Sequence, residues 1–284
     1  MTQRDLWREL CDKVSEPDGL PIRECGAWTE DKLWFWHKYF SITTQAMVGH
    51  PKWKEGVAYV DLFCGPGICE TREPKKRLPG SSLIAACTNK PFCQIVAIDL
   101  DPDSASACRV RLNQIAPNRN THVIEGDSNV KIDEALERIP KNALTLAVLD
   151  PPGMDYHFQT IKKIASARRT DFLLLFADAI DAVRNLDLYF EQEESKLDHM
   201  LGSNWRIELQ SLGSLSPNSV RQFLSDTLKR RFHEELGYEG FREKRINGPR
   251  GALYKLLFAS KHERGVDFWD KIARNDRRGQ GELF

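Results

Sequence analysis

The chain has 284 residues, enough for one large α/β domain with additions or for two modest ones. Its 41 lysines and arginines balance 41 aspartates and glutamates, so no protein-wide positive field gathers nucleic acid, and only local patches can serve such a partner. The apolar runs are far too short to cross a bilayer, the N-terminus lacks a secretory pattern, and the seven cysteines form no C-x-x-C; this reads as a cytoplasmic protein with reduced thiols and no metal site of its own.

A polar arm runs to about Gly26. Thr29 is placed to cap a helix reaching about Val48, with Leu33, Trp36, Phe40 and Met47 at helical spacing, a stripe of the kind that packs on a sheet. Residues 1–50 therefore read as an N-terminal arm and helix packing on a core, and 51–284 as one domain. From Val57, strands and helices alternate. Strands are expected at 57–63, 94–99, 121–125, 143–149 and 172–177, and helices at 81–88, 129–138 and 157–168. Another helix is capped by Asp101, with Pro102 at its first position. The stretch from Glu70 to Leu78, rich in proline and charge, reads as a loop. The 143–149 run is almost wholly apolar, as befits a strand covered on both faces. Such alternation predicts a parallel sheet with right-handed crossovers.

After the fifth strand the rhythm breaks. Residues 178–215 form a charged, irregular insertion with one helix near 189–201. Ser216-Pro217 opens a helix that buries Val220, Phe223, Leu224, Leu228, Phe232 and Leu236. A strand at 238–246, a last strand at 253–259 and a short helix at 266–274 complete the chain. The order predicts a Rossmann-like α/β fold, a seven-stranded, mostly parallel sheet with an antiparallel last strand, as in class I methyltransferases.

Ligands of open parallel sheets bind beyond the carboxyl ends of the strands, so those ends carry the chemistry. The first reads Tyr59-Val60-Asp61-Leu62-Phe63-Cys64-Gly65-Pro66-Gly67: an apolar strand, an acid, then a glycine turn that admits a close ligand. Asp61 is expected beside the turn, acting on a ligand's amino group or through water, with Phe63, Gly65, Pro66 and Gly67 forming the turn. The second strand ends in Asp99-Leu100, an acid suited to paired ribose hydroxyls. The third gives Gly126-Asp127-Ser128, where Asp127 suits an adenine amino group and the Ser128 N–H a ring nitrogen. The fourth gives Asp150-Pro151-Pro152-Gly153. Four acids at successive strand ends opposite one glycine turn point to S-adenosylmethionine. A nicotinamide dinucleotide would want a third glycine near position 70 and a helix N-terminus for its pyrophosphate. Asp150 with the Pro151 carbonyl is placed to hold an amine or hydroxyl for in-line methyl transfer, and Pro151 and Pro152 stiffen that turn. The candidate catalytic residues are therefore Asp150, Pro151 and Pro152. The candidate cofactor residues are Asp61, Phe63, Gly65, Pro66, Gly67, Asp99, Leu100, Asp127, Ser128 and Asp150.

At these residues the chain resembles two groups of methyltransferases. Asp61-Leu-Phe-Cys-Gly-Pro-Gly67 is similar to the first motif of DNA cytosine-5 methyltransferases, but Gly153 follows Pro152 where their fourth motif needs a cysteine. Asp150-Pro-Pro resembles the motif of adenine and cytosine amino-methyltransferases, with Gly153 in place of the base-stacking aromatic and Tyr156 or His157 as substitutes nearby. Over its whole length the chain most resembles the three-Cys-motif partner family. That likeness rests on Trp28-Thr-Glu-Asp-Lys-Leu33, the Tyr59–Gly67 motif, the acidic 99–101 strand end, Gly126–Asn129, Asp150–Gly153, Tyr254–His262 and Gly265–Trp269. The resemblance implies a bacterial methyltransferase-like protein working with a cysteine-cluster protein of radical S-adenosylmethionine type.

Two functions stand at this point: methyl transfer to a nitrogen or oxygen of a nucleic acid or peptide, or a non-catalytic scaffold for the cysteine-cluster partner. Arg72 with Lys75-Lys76-Arg77 follows the glycine turn and is placed to reach a phosphate backbone or an acidic peptide. Lys229-Arg230-Arg231 lies opposite a buried stripe and reads as a solvated face.

Overall fold

The computed structural model describes residues 2–274 apart from Ser214 and Arg250; residues 275–284 lie outside the described residues. The polar arm is more structured than its sequence suggests. Thr2 and Asp5 form a capping box that starts helix α1 (Gln3–Lys13), which buries Trp7 and Leu10. Strand β1 (Arg23–Cys25) follows, then α2 (Thr29–Met47). Thr29 is not the cap of α2. Trp28 occupies that position in helical backbone geometry, without a side-chain bond, because the Gly26–Trp28 turn already winds into the helix. The aromatic stripe of α2 does pack inward: Trp36, Tyr39 and Phe40 are fully buried.

Next come β2 (Val57–Asp61), β3 (Ile68–Thr71), β4 (Arg77–Pro79), α3 (Ser81–Ala86), β5 (Gln94–Asp99) and α4 (Pro102–Ile115). The expected loop at 70–78 is instead the tip of a β3–β4 hairpin, and β1 pairs parallel to β3 to make a small three-stranded sheet. The alternation continues through β6 (Thr121–Glu125), α5 (Ser128–Arg138), β7 (Leu144–Leu149), α6 (Phe158–Ala167) and β8 (Arg169–Phe176). The insertion opens with a π-helical turn, Asp178–Ala182, and carries three short helices rather than one: α7 (Leu186–Glu191), α8 (Lys196–Leu201) and α9 (Trp205–Gln210). Then follow α10 (Pro217–Leu236), β9 (Gly240–Gly248), β10 (Gly251–Ser260) and α11 (Glu263–Ala273).

The main sheet has the order β6-β5-β2-β7-β8-β10-β9. Every pairing from β6 to β8 is parallel, and β10 runs antiparallel to both β8 and β9. This is the Rossmann-like order expected from the sequence. It reverses direction between β2 and β7, so the carboxyl ends of those strands frame the crevice. Helices α2 and α11 meet on one face of the sheet. The Trp269 ring of α11 stacks on Phe258 of β10 at 5.3 Å, and Phe35 of α2 meets Trp269 edge-on at 4.7 Å. These contacts fix α2 over the sheet and, with it, whatever its N-terminal turn carries.

Candidate active site

The glycine turn after β2 is braced from below. Gly65 and Gly67 hold φ of +58° and +84°, a region that side-chain-bearing residues resist. Asp61 lies beneath this turn rather than beside it. It is fully buried and lines neither cavity of the crevice. Its Oδ2 accepts from Tyr59 Oη (2.9 Å), Ser81 Oγ (2.6 Å) and Ser82 Oγ (2.8 Å), and its Oδ1 from the Phe63 N–H (3.3 Å). Burial pushes the Asp61 carboxyl above its ordinary range, against the pull of those hydroxyls. The expected ligand contact is thus replaced by a structural one, because three hydroxyls from β2 and α3 already surround the oxygen.

Two adjoining cavities occupy the crevice. The first, about 330 Å³, is lined by Asp150, Pro151 and Pro152 at the end of β7, by the 63–69 turn, and by Trp28, Thr29 and Lys32 of the α2 entry. Asp150 is only 9% exposed. Its Oδ2 meets Lys32 Nζ at 2.5 Å, a contact between residues 118 apart in sequence. Its Oδ1 is buried and has no hydrogen-bond partner. A buried carboxylate oxygen in that state carries a desolvation cost of about 1–3 kcal/mol unless something donates to it. Lys32 escaped the sequence reading although it lies within the Trp28–Leu33 segment.

The second cavity, about 860 Å³, is lined by Asp99, Leu100, Asp127, Ser128 and Asn129 at the ends of β5 and β6, and by Met154, Asp155 and His157 beyond Asp150. Asp99 Oδ2 accepts from the Gly65 N–H at 2.7 Å, tying the second strand end to the glycine turn. Leu100 is 72% exposed, an apolar surface that a planar ligand would cover. Asp127 caps α5, its Oδ1 accepting from the Asn129 N–H at 2.8 Å, so it is a helix cap that also faces the cavity. Ser128 is 2% exposed, and its Oγ has no partner. Asn129, also unassigned from sequence, ties the two strand ends together. Its Nδ2 donates to the Asp155 carbonyl at 3.1 Å, and its Oδ1 accepts from the His157 N–H at 3.0 Å.

Gly153 is explained by what stands beside it. A Cβ there would lie 2.5 Å from Asp181 Oδ2, which accepts from the Met154 N–H at 2.8 Å. A carboxylate of the insertion thus stands where a side chain at 153 would begin. Tyr156 does not substitute for that aromatic, being fully buried; His157 lines the second cavity and stacks on His199 at 4.1 Å. The insertion walls both cavities, through Ile180 in the first and Lys196 in the second.

The cations of the 72–77 hairpin face acids of their own chain. Arg72 pairs with Glu24 (2.6 Å), Lys75 with Glu70 (3.4 Å), Lys76 with Glu30 (2.7 Å) and Arg77 with Asp18 (3.5 Å). They hold the N-terminal arm rather than forming an open phosphate track. The 229–231 run is not wholly solvated either, since Arg231 lies 3.8 Å over the Phe158 ring.

The arm is fastened most firmly by Arg111 of α4, which is 1% exposed. Its guanidinium clasps Asp18 at 2.7 and 2.8 Å and donates to the carbonyls of Pro21 (2.7 Å) and Pro66 (2.6 Å). That pairing pulls the Asp18 carboxyl down to about 2. The segment so held lays Ile22 and Arg23 along the second cavity and Arg23 to Cys25 along the first.

Among the described residues no His, Cys, Asp and Glu cluster could hold a metal, the seven cysteines are free thiols, and no helix is long and apolar enough to cross a membrane. No protein-family model and no curated protein matches the sequence. Among solved structures, a Legionella pneumophila protein of the DUF519 family is similar at 12% identity and a TM-score of 0.49, over 82% of this chain and 89% of its own. An O-methyltransferase from Bacillus cereus in complex with S-adenosylhomocysteine is similar at 9% identity and 0.44, over 91% and 90%. The METTL16 methyltransferase domain is similar at 12% and 0.46, over 92% and 81%. At these values the likeness adds nothing to the functional case, which rests on the site.

Proposed function

We propose that this chain is an S-adenosylmethionine-dependent methyltransferase acting on a nitrogen or oxygen held at Asp150. The observation that carries the reading is the pair of adjoining cavities at the strand-order reversal, each with a buried polar atom lacking a partner: Ser128 Oγ in one and Asp150 Oδ1 in the other. The donor set fits the cofactor. Asp99 and Asp127 offer acceptors to hydroxyl and amino groups, and Leu100 offers an apolar face. When bound, the cofactor supplies an electrophilic methyl group.

The chain's own work is positioning. Lys32 Nζ fixes Asp150 Oδ2, which leaves Oδ1 as the acceptor for an N–H or O–H of the incoming group. The proton shed there is received at Oδ1. Pro151 and Pro152 remove two backbone donors from this turn, so nothing local competes for that oxygen. Such fixed geometry is the main source of rate in an in-line displacement. A nucleic acid or a peptide remains the macromolecular class proposed for the acceptor. The resemblance of Tyr254–His262 and Gly265–Trp269 to the three-Cys-motif partner family supports a cysteine-cluster protein as the working partner.

Calorimetry with S-adenosylhomocysteine tests the reading. Micromolar binding is expected, weakened by about 1–3 kcal/mol in Asp99→Ala. Asp150→Asn is expected to keep that binding while losing transfer of labelled methyl to nucleic acid or protein. A folded wild type that binds neither S-adenosylmethionine nor S-adenosylhomocysteine would overturn it.

A further inference from the structure

The two cavities share a wall of five residues: Arg23, Phe63, Gly65, Pro66 and Pro152. Resting on the donor and acceptor assignment above, any cofactor seated at Asp99 and Asp127 has to pass this wall to present its methyl group toward Asp150. The amino-acid end of the cofactor branches from the same sulfur and therefore also lies against the wall. That end carries the ligand's only carboxylate. Of the five residues, four are apolar or backbone-only, and the single charged one is Arg23.

Its charge is also open. The other basic side chains lining the cavities through lysine or arginine each have an acid: Lys32 has Asp150, Arg72 has Glu24 and Lys196 has Asp155. Arg23 is exposed and, among the described residues, has no carboxylate within ion-pairing distance. Its backbone is nonetheless fixed, since β1 pairs with β3 in the register Arg23 to Cys69 and Arg111 holds the chain just before it at Pro21. A guanidinium on a fixed backbone at this wall is suited to a carboxylate, which it can meet with two parallel hydrogen bonds.

We infer that Arg23 is the anchor for the cofactor's amino-acid carboxylate, and that the N-terminal arm is thereby part of the donor site. The test compares two probes, S-adenosylhomocysteine and 5′-methylthioadenosine, which share the adenosine and the thioether but differ in the amino-acid end. In Arg23→Met, binding of S-adenosylhomocysteine is expected to weaken tenfold or more while 5′-methylthioadenosine binds as in wild type. Arg23→Lys, which keeps the charge, is expected to recover part of the loss. Equal weakening of both probes, or of neither, would overturn the assignment while leaving the cofactor reading intact. A wild type that binds neither probe would remove the cofactor reading itself, and this inference with it.

Discussion

Replacing Arg111 by methionine should unfasten the N-terminal arm without opening the core. Methionine fills much of the same volume but removes every hydrogen bond to Asp18, Pro21 and Pro66. Breaking a fully buried ion pair by deleting one partner costs about 3–5 kcal/mol. Asp18 keeps 25% of its side-chain exposure and the arm around it faces solvent, so the freed carboxylate and carbonyls rehydrate as the arm lifts. The expected cost therefore falls to about 2–3 kcal/mol, borne by local opening of the arm. Since about 1.4 kcal/mol is tenfold, the amides of Arg23–Cys25 should exchange with deuterium roughly 30- to 150-fold faster in Arg111→Met. The strands β5 and β7 should keep wild-type protection. Unchanged protection at 23–25 in a folded variant would refute the claim that Arg111 holds the arm, and would leave the hairpin cations as its fastening.

Acid should loosen α1 from α2 through His37. This ring is 5% exposed, its Nε2 lies 3.2 Å from the Gln3 carbonyl, and burial pushes its pKa down to about 4. A histidine depressed in the folded state contributes stability that is present above its unfolded pKa of about 6.5 and is lost as pH falls from there toward 4. The loss is at most roughly 3 kcal/mol. Asp171 is raised to about 6 by burial and acts with the opposite sign, its contribution being full below the unfolded carboxylate range and lost as pH rises through 6. Urea midpoints from pH 7 to 4 in wild type and His37→Gln separate the two: the wild type should fall more steeply, and parallel curves would exclude His37. Gly153→Ala should destabilise the protein by about 1–3 kcal/mol, because its methyl group meets the braced Asp181 carboxylate at 2.5 Å. At about 2–4 °C per kcal/mol for a large domain, the fall in Tm is measurable, and a wild-type Tm would show that the loop yields without cost.

What could be read from sequence was what is encoded locally. Gln94–Asp99 and Leu144–Leu149 carry apolar runs of strand length, and Asp101-Pro102 announces a helix, so those elements appear where expected. The acids at the strand ends could be found because topology brings them together once the alternation is recognised. The enclosure of Asp61 is not legible, because nothing in the sequence says that Ser81 and Ser82 reach back 20 and 21 residues to surround it. The arm is only partly legible. Its capping box, Thr2 to Asp5, does signal α1, but β1, β3 and β4 are three or four residues long and depend on one another. The Lys32–Asp150 contact spans 118 residues and leaves no periodic trace, so a contact central to the site is invisible until the chain is folded.

The placement of β10 bears on how this protein is made. Among the described residues it is the last strand in sequence, yet it lies inside the sheet between β8 and β9 rather than at an edge. Until residue 260 has left the ribosome, β8 presents an unpaired flank and β9 has no neighbour. The next turns of chain, α11, then supply the Trp269 face against which Phe35 rests, two helical turns from Phe35 being enough to span the distance to the start of α2. The helix that carries Lys32 is thus packed in part by Trp269, a residue translated more than 200 positions after it. A nascent chain holds every strand-end acid long before it holds a working crevice, and its exposed β8 flank is where a folding assistant, or an aggregate, would meet it first.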